Sequence, residues 1–185
     1  GAVGMSFARY PAYKDSGVAW LHKVPEHWEV QPLLAVMKER NEPNMGMREN
    51  NLLSLSYGRI VQKDIDSNDG LLRESFETYQ IVRPDDIVFR LTDLQNDKRS
   101  LRSAIVGQLG IITSAYVAGH PHGALPAYIH YLFRSYDQSK VFYSMGGGLR
   151  QSMKFADLKR MPVLLPPRSE QTTIATFLDR ETAKI

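Results

Sequence analysis

Residues 84–118 read PDDIVFRLTDLQNDKRSLRSAIVGQLGIITSAYVA, and this stretch decides the fold that the sequence predicts. It contains three apolar runs of the kind typical of strands, Ile87–Phe89, Ser103–Val106 and Ile111–Val117. A polar segment, residues 90–102, connects the first two runs. The stretch therefore predicts a strand hairpin with a long connection, followed by a third strand.

Almost every side chain of the 90–102 connection can donate or accept a hydrogen bond. Arginine, asparagine, glutamine, threonine, serine and lysine are the residue types that contact base edges and phosphates in DNA. Four acidic and four basic residues between Asp85 and Arg102 cancel, so a solvated loop without function is the alternative. The candidate base contacts, which include two residues of the third run, are Arg90, Thr92, Asp93, Gln95, Asn96, Lys98, Arg99, Ser100, Arg102, Ser114 and Tyr116.

A glycine triplet, Gly146–Gly148, precedes a basic segment of the chain. Glycine lets a backbone approach a ligand closely, and amides at a helix N-terminus bind phosphate. Residues 146–168 hold five basic residues and one acidic residue, a charge of +4, so the remainder of the +3 chain carries −1. A basic patch of this kind is expected at a phosphate contact, and a solvated surface is the alternative. For the glycine triplet, the alternative is a helix stop followed by a solvent-facing turn. The candidate phosphate contacts are Gly147, Gly148, Arg150, Gln151 and Lys154.

The composition is that of one ordered domain, with 185 residues of which 43% are hydrophobic. The absence of cysteine excludes a disulfide scaffold and a thiolate metal site, and fits a reducing cytoplasm. No apolar run approaches the ~20 residues of a membrane helix, and no signal peptide opens the sequence. We interpret Gly1–Gly4, ahead of Met5, as a remnant of expression cloning.

Elsewhere the pattern predicts short elements. Helix formers occupy Leu33–Arg40, and Pro126–Phe133 has strand-like composition that a helix also explains. Asp137–Met145 and Phe155–Arg160 are predicted helices. Pro162–Pro167 is predicted as an edge strand or an extended strap, because proline cannot donate to a sheet ladder.

A final helix is predicted from Ser169, whose hydroxyl would cap it. Apolar residues that fall on one face of this helix are predicted to form a helix interface. Because the sequence stops with this stripe unfinished, we expect the natural helix to continue. The interface residues are Ile174, Phe177, Leu178 and Ile185.

The sequence contains no motif for three kinds of enzyme chemistry. Adenine methylation, metal-dependent nuclease chemistry and nucleophilic catalysis each need residue groupings that we do not find. We therefore expect binding rather than catalysis, with no metal and no cofactor. Two alternatives stay open: a metal-dependent enzyme with a site around His120, His122 and Asp85, and a protein–protein adaptor that acts through the C-terminal helix.

Several segments resemble, in order, the target-recognition domains of type I restriction–modification specificity subunits. Residues 85–106 followed by 110–116 (GIITSAY) carry the resemblance in the middle of the chain. Ala19 and His22 depart from the acidic residue and glycine expected near its start. The flanking segments are 13–21 (YKDSGVAWL), 24–30 (VPEHWEV), 148–152 (GLRQS), 164–167 (LLPP), 169–171 (SEQ) and 177–179 (FLD).

We expect an α+β fold with a twisted, mostly antiparallel, partly barrel-like sheet, short helices and a protruding C-terminal helix. The resemblance implies that residues 5–168 form a DNA target-recognition domain and that residues 169–185 begin a spacer helix. It further implies that the domain reads one half of a bipartite site in double-stranded DNA. Methyltransferase (modification) and restriction subunits would be partners that carry the chemistry. The helix would pair with that of a second recognition domain or of another copy.

Overall fold

The structure of the protein, a computed structural model, describes residues 9–66, 73–145 and 152–185. Within these ranges most strands come first and the α-helices come late in the chain, in a mixed α+β arrangement, as the sequence predicts. None of the helices that the structure describes is long and apolar enough to cross a membrane. The segment Gly1–Gly4 lies outside the described residues.

The described elements are short. The strands are β1 Tyr13–Asp15, β2 Lys23–Pro25, β3 Glu29–Pro32, β4 Met37–Glu39, β5 Leu52–Ser56, β6 Arg59–Lys63, β7 Gln80–Val82, β8 Ile87–Phe89, β9 Ser103–Ile105, β10 Gly110–Ile112, β11 Val117–Pro121 and β12 Pro162–Leu165. The α-helices are α1 Pro126–Gln138, α2 Val141–Met145, α3 Phe155–Leu158 and α4 Arg168–Thr182. Turns of 3₁₀-helix cover Leu33–Ala35, Met45–Met47 and Arg73–Thr78.

Two four-stranded sheets form the body of the domain. The first sheet has the order β6-β5-β10-β7, and the second sheet has the order β4-β11-β8-β9. Two further pairs, β1 with β2 and β3 with β12, lie outside them. Among the described strands every pairing is antiparallel except that of β5 with β10. These strands form separate twisted sheets and no closed barrel, whereas the expected sheet was partly barrel-like.

The central stretch connects the two sheets. β8 and β9 form the predicted hairpin, with Phe89 opposite Ser103. The third apolar run is not one strand, because β10 belongs to the first sheet and β11 to the second. A turn separates them, in which the Tyr116 amide donates to the Thr113 carbonyl over 3.1 Å. This turn is exposed at Ser114 and stands between the two sheets.

Helix α1 supplies much of the main apolar core. Pro126 occupies its first turn, where a missing N–H costs nothing. Its buried residues recur at helical rather than strand spacing, so the Pro126–Phe133 segment is a helix, the alternative to the strand that its composition suggests. The Phe133 ring lies 5.4 Å from the ring of Phe89 on β8. The buried residues of α1 are Tyr128, Ile129, Leu132, Phe133, Tyr136 and Asp137.

The prediction of a helix over Leu33–Arg40 was wrong. Only one 3₁₀ turn forms there, and β4 follows it and pairs with β11. The Leu33 and Leu34 amides donate to the carbonyls of Met161 and Lys159, 2.9 and 3.0 Å away. These long-range hydrogen bonds override the weak helix propensity of the segment. The predicted helix Asp137–Met145 is likewise divided: α1 ends at Gln138, and α2 begins after Lys140, whose φ is +58°.

Helix α4 begins one residue before the predicted cap. Pro167 is the N-cap and its carbonyl accepts hydrogen bonds from the Glu170 and Gln171 amides, so the prediction that Ser169 caps the helix was wrong. The buried Gln171 side chain accepts a hydrogen bond from the Leu125 amide over 2.8 Å. The Tyr131 hydroxyl of α1 donates to Asp179, so α4 lies along α1 as far as Thr182. Only the last residues, up to the fully exposed Ile185, extend beyond it.

Candidate functional site

An open cleft of about 430 Å³, which we call the central cleft, lies where the two four-stranded sheets meet. Its floor and walls come from the end of β4, the start of β7, the turn before β11 and the segment before α3. The lining residues are Glu39, Arg40, Asn41, Pro43, Thr78, Gln80, Thr92, Ser114, Ala115, Tyr116, Val117, Ala118, Ser152, Met153, Lys154 and Phe155.

Hydrogen bonds between distant segments hold the walls of the central cleft in place. The Gln80 side-chain amide donates to the Tyr116 carbonyl over 2.8 Å, which fixes the turn against the first sheet. The Met153 amide donates to the Leu91 carbonyl over 2.9 Å, which fixes the segment before α3 against the 90–102 loop. The cleft is therefore built before any ligand arrives.

Four predicted contact residues meet in this cleft although they are far apart in sequence. Thr92 comes from the 90–102 loop, Ser114 and Tyr116 from the turn before β11, and Lys154 from the segment before α3. The Lys154 amide donates to the Asp157 carboxylate over 2.9 Å, which caps α3 and fixes the backbone that carries the ammonium group. Two hydroxyls, a phenol and an ammonium group thus line one concave surface. Such groups can bind phosphate and polar base edges.

Arg102 organises the 90–102 loop from inside. It is fully buried, and its guanidinium donates to the Thr92 carbonyl over 2.8 Å and to the carbonyls of Arg90 and Asp97. Its Nε donates to the Tyr143 hydroxyl over 3.1 Å. A buried guanidinium with these partners has no surface left for a base, so we remove Arg102 from the candidate base contacts.

The far end of the loop is closed by Asp97. Its carboxylate accepts hydrogen bonds from the Ser100 hydroxyl and from the Ser100 and Arg99 amides. These bonds to the charged form lower the pKa of Asp97 to about 2. The buried Leu94 anchors the middle of the loop, and the Lys140 ammonium donates to the Lys98 carbonyl over 2.8 Å. The loop is therefore a fixed platform.

The remaining candidate base contacts do not line the central cleft. Asp93, Asn96, Lys98 and Arg99 are exposed on the outer surface of the loop, and the Asn96 amide donates to the Asp93 carboxylate over 2.9 Å. Gln95, Ser100 and Arg90 are half-buried. The four candidates Gly147, Gly148, Arg150 and Gln151 lie outside the described residues.

The sequence interpretation missed Arg40, Asn41, Gln80 and Ser152, which also line the central cleft. Arg40 ends the segment that was predicted to be a helix and Asn41 follows it, while Gln80 begins a strand that pairs with β10. No local pattern marks these residues, since only the pairing of β4 with β11 brings Arg40 to the cleft.

The predicted helix interface is divided among different surroundings. Ile174 packs against the main core, and Phe177 is half-buried. Leu178 lines a groove between α1, α4 and the β5–β6 turn, in which Tyr57 is 94% exposed. Ile185 lies beyond the end of α4.

His120, which was proposed for an enzyme site, contacts a different carboxylate from the one expected. His120 Nδ1 lies 2.8 Å from the carboxylate of Asp86, not of Asp85. Within the residues that the structure describes, no group of three or more histidine, aspartate or glutamate side chains is placed to hold a metal ion.

Two solved structures share this fold. One is the HsdS subunit from Thermoanaerobacter tengcongensis, with a TM-score of 0.55 over 93% of this chain, 40% of that chain, and 14% sequence identity. The fold is shared with part of an HsdS chain. The other comes from work on complex assembly and conformational transition of the type I R-M system, with a TM-score of 0.57, 14% identity, and coverage of 87% of this chain and 40% of that one.

This chain thus spans about two fifths of the length of each HsdS-like chain that it matches. No protein-family model matches its sequence, and neither does any curated protein.

Proposed function

We propose that this chain is a DNA target-recognition domain of a type I restriction–modification specificity subunit. It binds double-stranded DNA and reads one half of a bipartite site. It thereby directs the methyltransferase and restriction subunits of the complex to that site. The observation that carries this proposal is the central cleft, where Thr92, Ser114, Tyr116 and Lys154 converge on a fold shared with HsdS.

The chemistry of the cleft supports DNA as the ligand. Its lining offers ammonium, guanidinium, amide and hydroxyl groups, which together can contact phosphate oxygens and base edges. The exposed Asn96, Lys98 and Arg99 extend the same set of groups along the outside of the 90–102 loop. A rigid platform suits this task, because base discrimination depends on donors held at fixed positions.

The chain itself acts by binding, and the chemistry belongs to partner subunits in the cytoplasm. Methyl transfer and DNA cleavage would therefore require the methyltransferase and restriction subunits, with no cofactor held by this chain. The C-terminal helix would pair with that of a second recognition domain or of another copy.

Fluorescence anisotropy with short labelled duplexes tests the proposal. Without its partners the domain should bind duplex DNA weakly, in the ~10⁻⁴–10⁻⁶ M range of non-specific complexes, and binding should fall steeply with salt. Lys154→Ala should weaken binding to all sequences alike. The absence of any duplex binding at low salt would refute the proposal.

Base readout needs a separate experiment with the assembled methyltransferase complex. We expect Arg99→Ala and Gln95→Ala to change which sites are methylated, by ~1–3 kcal/mol for a lost bidentate base contact. Lys154→Ala serves as the matched control, since loss of a phosphate contact should slow methylation without changing the sites. Unchanged sites in both loop variants would exclude the loop as the reader.

A further inference from the structure

A buried carboxylate, Asp86, lies at the centre of a polar cluster that the sequence did not reveal. Its side chain is fully buried and accepts hydrogen bonds from Arg40 Nε and Arg40 Nη2, both over 2.9 Å. It also accepts from the Arg83 amide over 2.9 Å and lies 2.8 Å from His120 Nδ1. We call Asp86, Arg40 and His120 the Asp86 cluster.

The Asp86 cluster fixes the orientation of Arg40. A bidentate contact holds the guanidinium plane in one direction, and a buried carboxylate is retained only where its charge is paired. With Nε and one Nη2 proton bound to Asp86, the Nη1 group remains to donate outward. The side chain of Arg40 is 22% exposed, so this outward edge reaches the surface.

Arg40 stands on a ridge between two clefts. It lines the central cleft, and with Glu39 and Asn41 it also lines a second open cleft of about 490 Å³. Lys38, two residues earlier on β4, shares the side of the strand on which Arg40 lies. The second cleft is completed by Glu42, His120 and His122.

The ridge offers cationic donors although its charges balance. Lys38 and Arg40 are its cations, and the charge of the buried Asp86 carboxylate offsets that of Arg40. Glu42 is engaged by Arg83 at 2.8 Å, which leaves Glu39 as the opposing carboxylate on the ridge. Because His120 Nδ1 faces Asp86, the other ring nitrogen, Nε2, is directed away from that carboxylate.

We propose that the Asp86 cluster is a binding site for a DNA phosphate group, with Arg40 as the contact and Asp86 as the positioning residue. This inference rests on the proposed function, since the ridge adjoins the central cleft. It extends the DNA interface from the central cleft across β4 into the second cleft. The site reads no base, so its contribution to affinity is the same for every sequence.

The test is the salt dependence of duplex binding by the 185-residue chain. Each phosphate contact adds about 0.9 to the magnitude of the negative slope of log K against log salt concentration. One contact therefore raises the affinity about eightfold when the salt concentration falls from ~1 M to ~0.1 M. Arg40→Gln should reduce the magnitude of this slope by about 0.9. It should weaken the binding of duplexes of unrelated sequence by the same factor. Glu39→Gln should strengthen binding. Arg180→Gln, which removes the same charge from the exposed face of α4, is the matched control and should change the slope little.

Because Arg40→Gln leaves a buried carboxylate unpaired, a second variant is needed. The double change Asp86→Asn with Arg40→Gln keeps a neutral hydrogen-bonded pair, and it should show the same loss of slope. If the chain binds DNA and the double variant keeps the parental slope, the phosphate site is refuted and the proposed function stands. If the parental chain binds no duplex, both are refuted.

Discussion

Replacing Arg102 by alanine should destabilise the protein far more than replacing its exposed neighbour Arg99. The Arg102 guanidinium is fully buried and donates to three loop carbonyls and the Tyr143 hydroxyl. It also lies over the Tyr143 ring, 5.0 Å from its centroid. Each buried acceptor that is left without its charged donor lowers the free energy of unfolding by ~1–3 kcal/mol. Since the loop is half exposed, water can replace part of these bonds, and we expect a loss of about 3–5 kcal/mol in the free energy of unfolding.

Urea denaturation of the Arg102→Ala and Arg99→Ala chains measures this difference. The midpoint should fall in the first variant with an unchanged slope, and the second should remain within ~0.5 kcal/mol of the parent. Hydrogen exchange adds a local readout, because the Asp97 and Met153 amides are bonded within the loop framework. They should exchange faster in Arg102→Ala only. Equal, small effects of the two changes would show that Arg102 does not hold the loop, and would return it to the candidate base contacts.

Three further predictions follow from other parts of the fold. Burial, reinforced by the nearby Arg134 charge, lowers the pKa of His130 from 6.5 to about 4, so the folded state binds fewer protons than the unfolded state. Stability should be complete above pH 6.5 and fall by about 2 kcal/mol by pH 5, and denaturation of His130→Gln should lack this loss. A Cβ added at Gly110 would lie 2.5 Å from the Asn51 carbonyl, whereas none of the surrounding atoms lies within 4 Å at Gly107. Gly110→Ala should therefore destabilise the folded state by ~1–3 kcal/mol and lower the thermal midpoint, whereas Gly107→Ala should leave the midpoint unchanged. Equal midpoints for the two variants would contradict the close packing of β10 against Asn51. Finally, a chain extended beyond Ile185 should self-associate or pair with a second domain's helix in sedimentation, and Leu178→Asp should weaken that association. A monomeric extended chain without a second domain, unaffected by the change, would refute the helix-interface prediction.

Short-range patterns in the sequence were enough to predict several local elements. The β8–β9 hairpin followed from two apolar runs around a polar connection, and α3 and β12 formed where they were predicted. The polar composition of the 90–102 loop likewise made Thr92 a candidate base contact, and in the structure Thr92 lines the central cleft with the candidates Ser114 and Tyr116. In these cases the information lies within a few residues of the feature, because side-chain alternation and turn chemistry are local properties.

The way in which distant segments combine depends on tertiary packing and could not be predicted from local patterns. The segment 33–40 has helical composition, yet its backbone pairs with β11 and donates hydrogen bonds to the carbonyls of Met161 and Lys159. This pairing places Arg40 beside Asp86. Arg102 has the residue type of a base reader, and its burial beneath its own loop gives it a structural role. Burial and long-range pairing depend on contacts between residues that are far apart in sequence. A residue's type therefore limits its chemistry, and the packing of the two sheets determines where that chemistry is used.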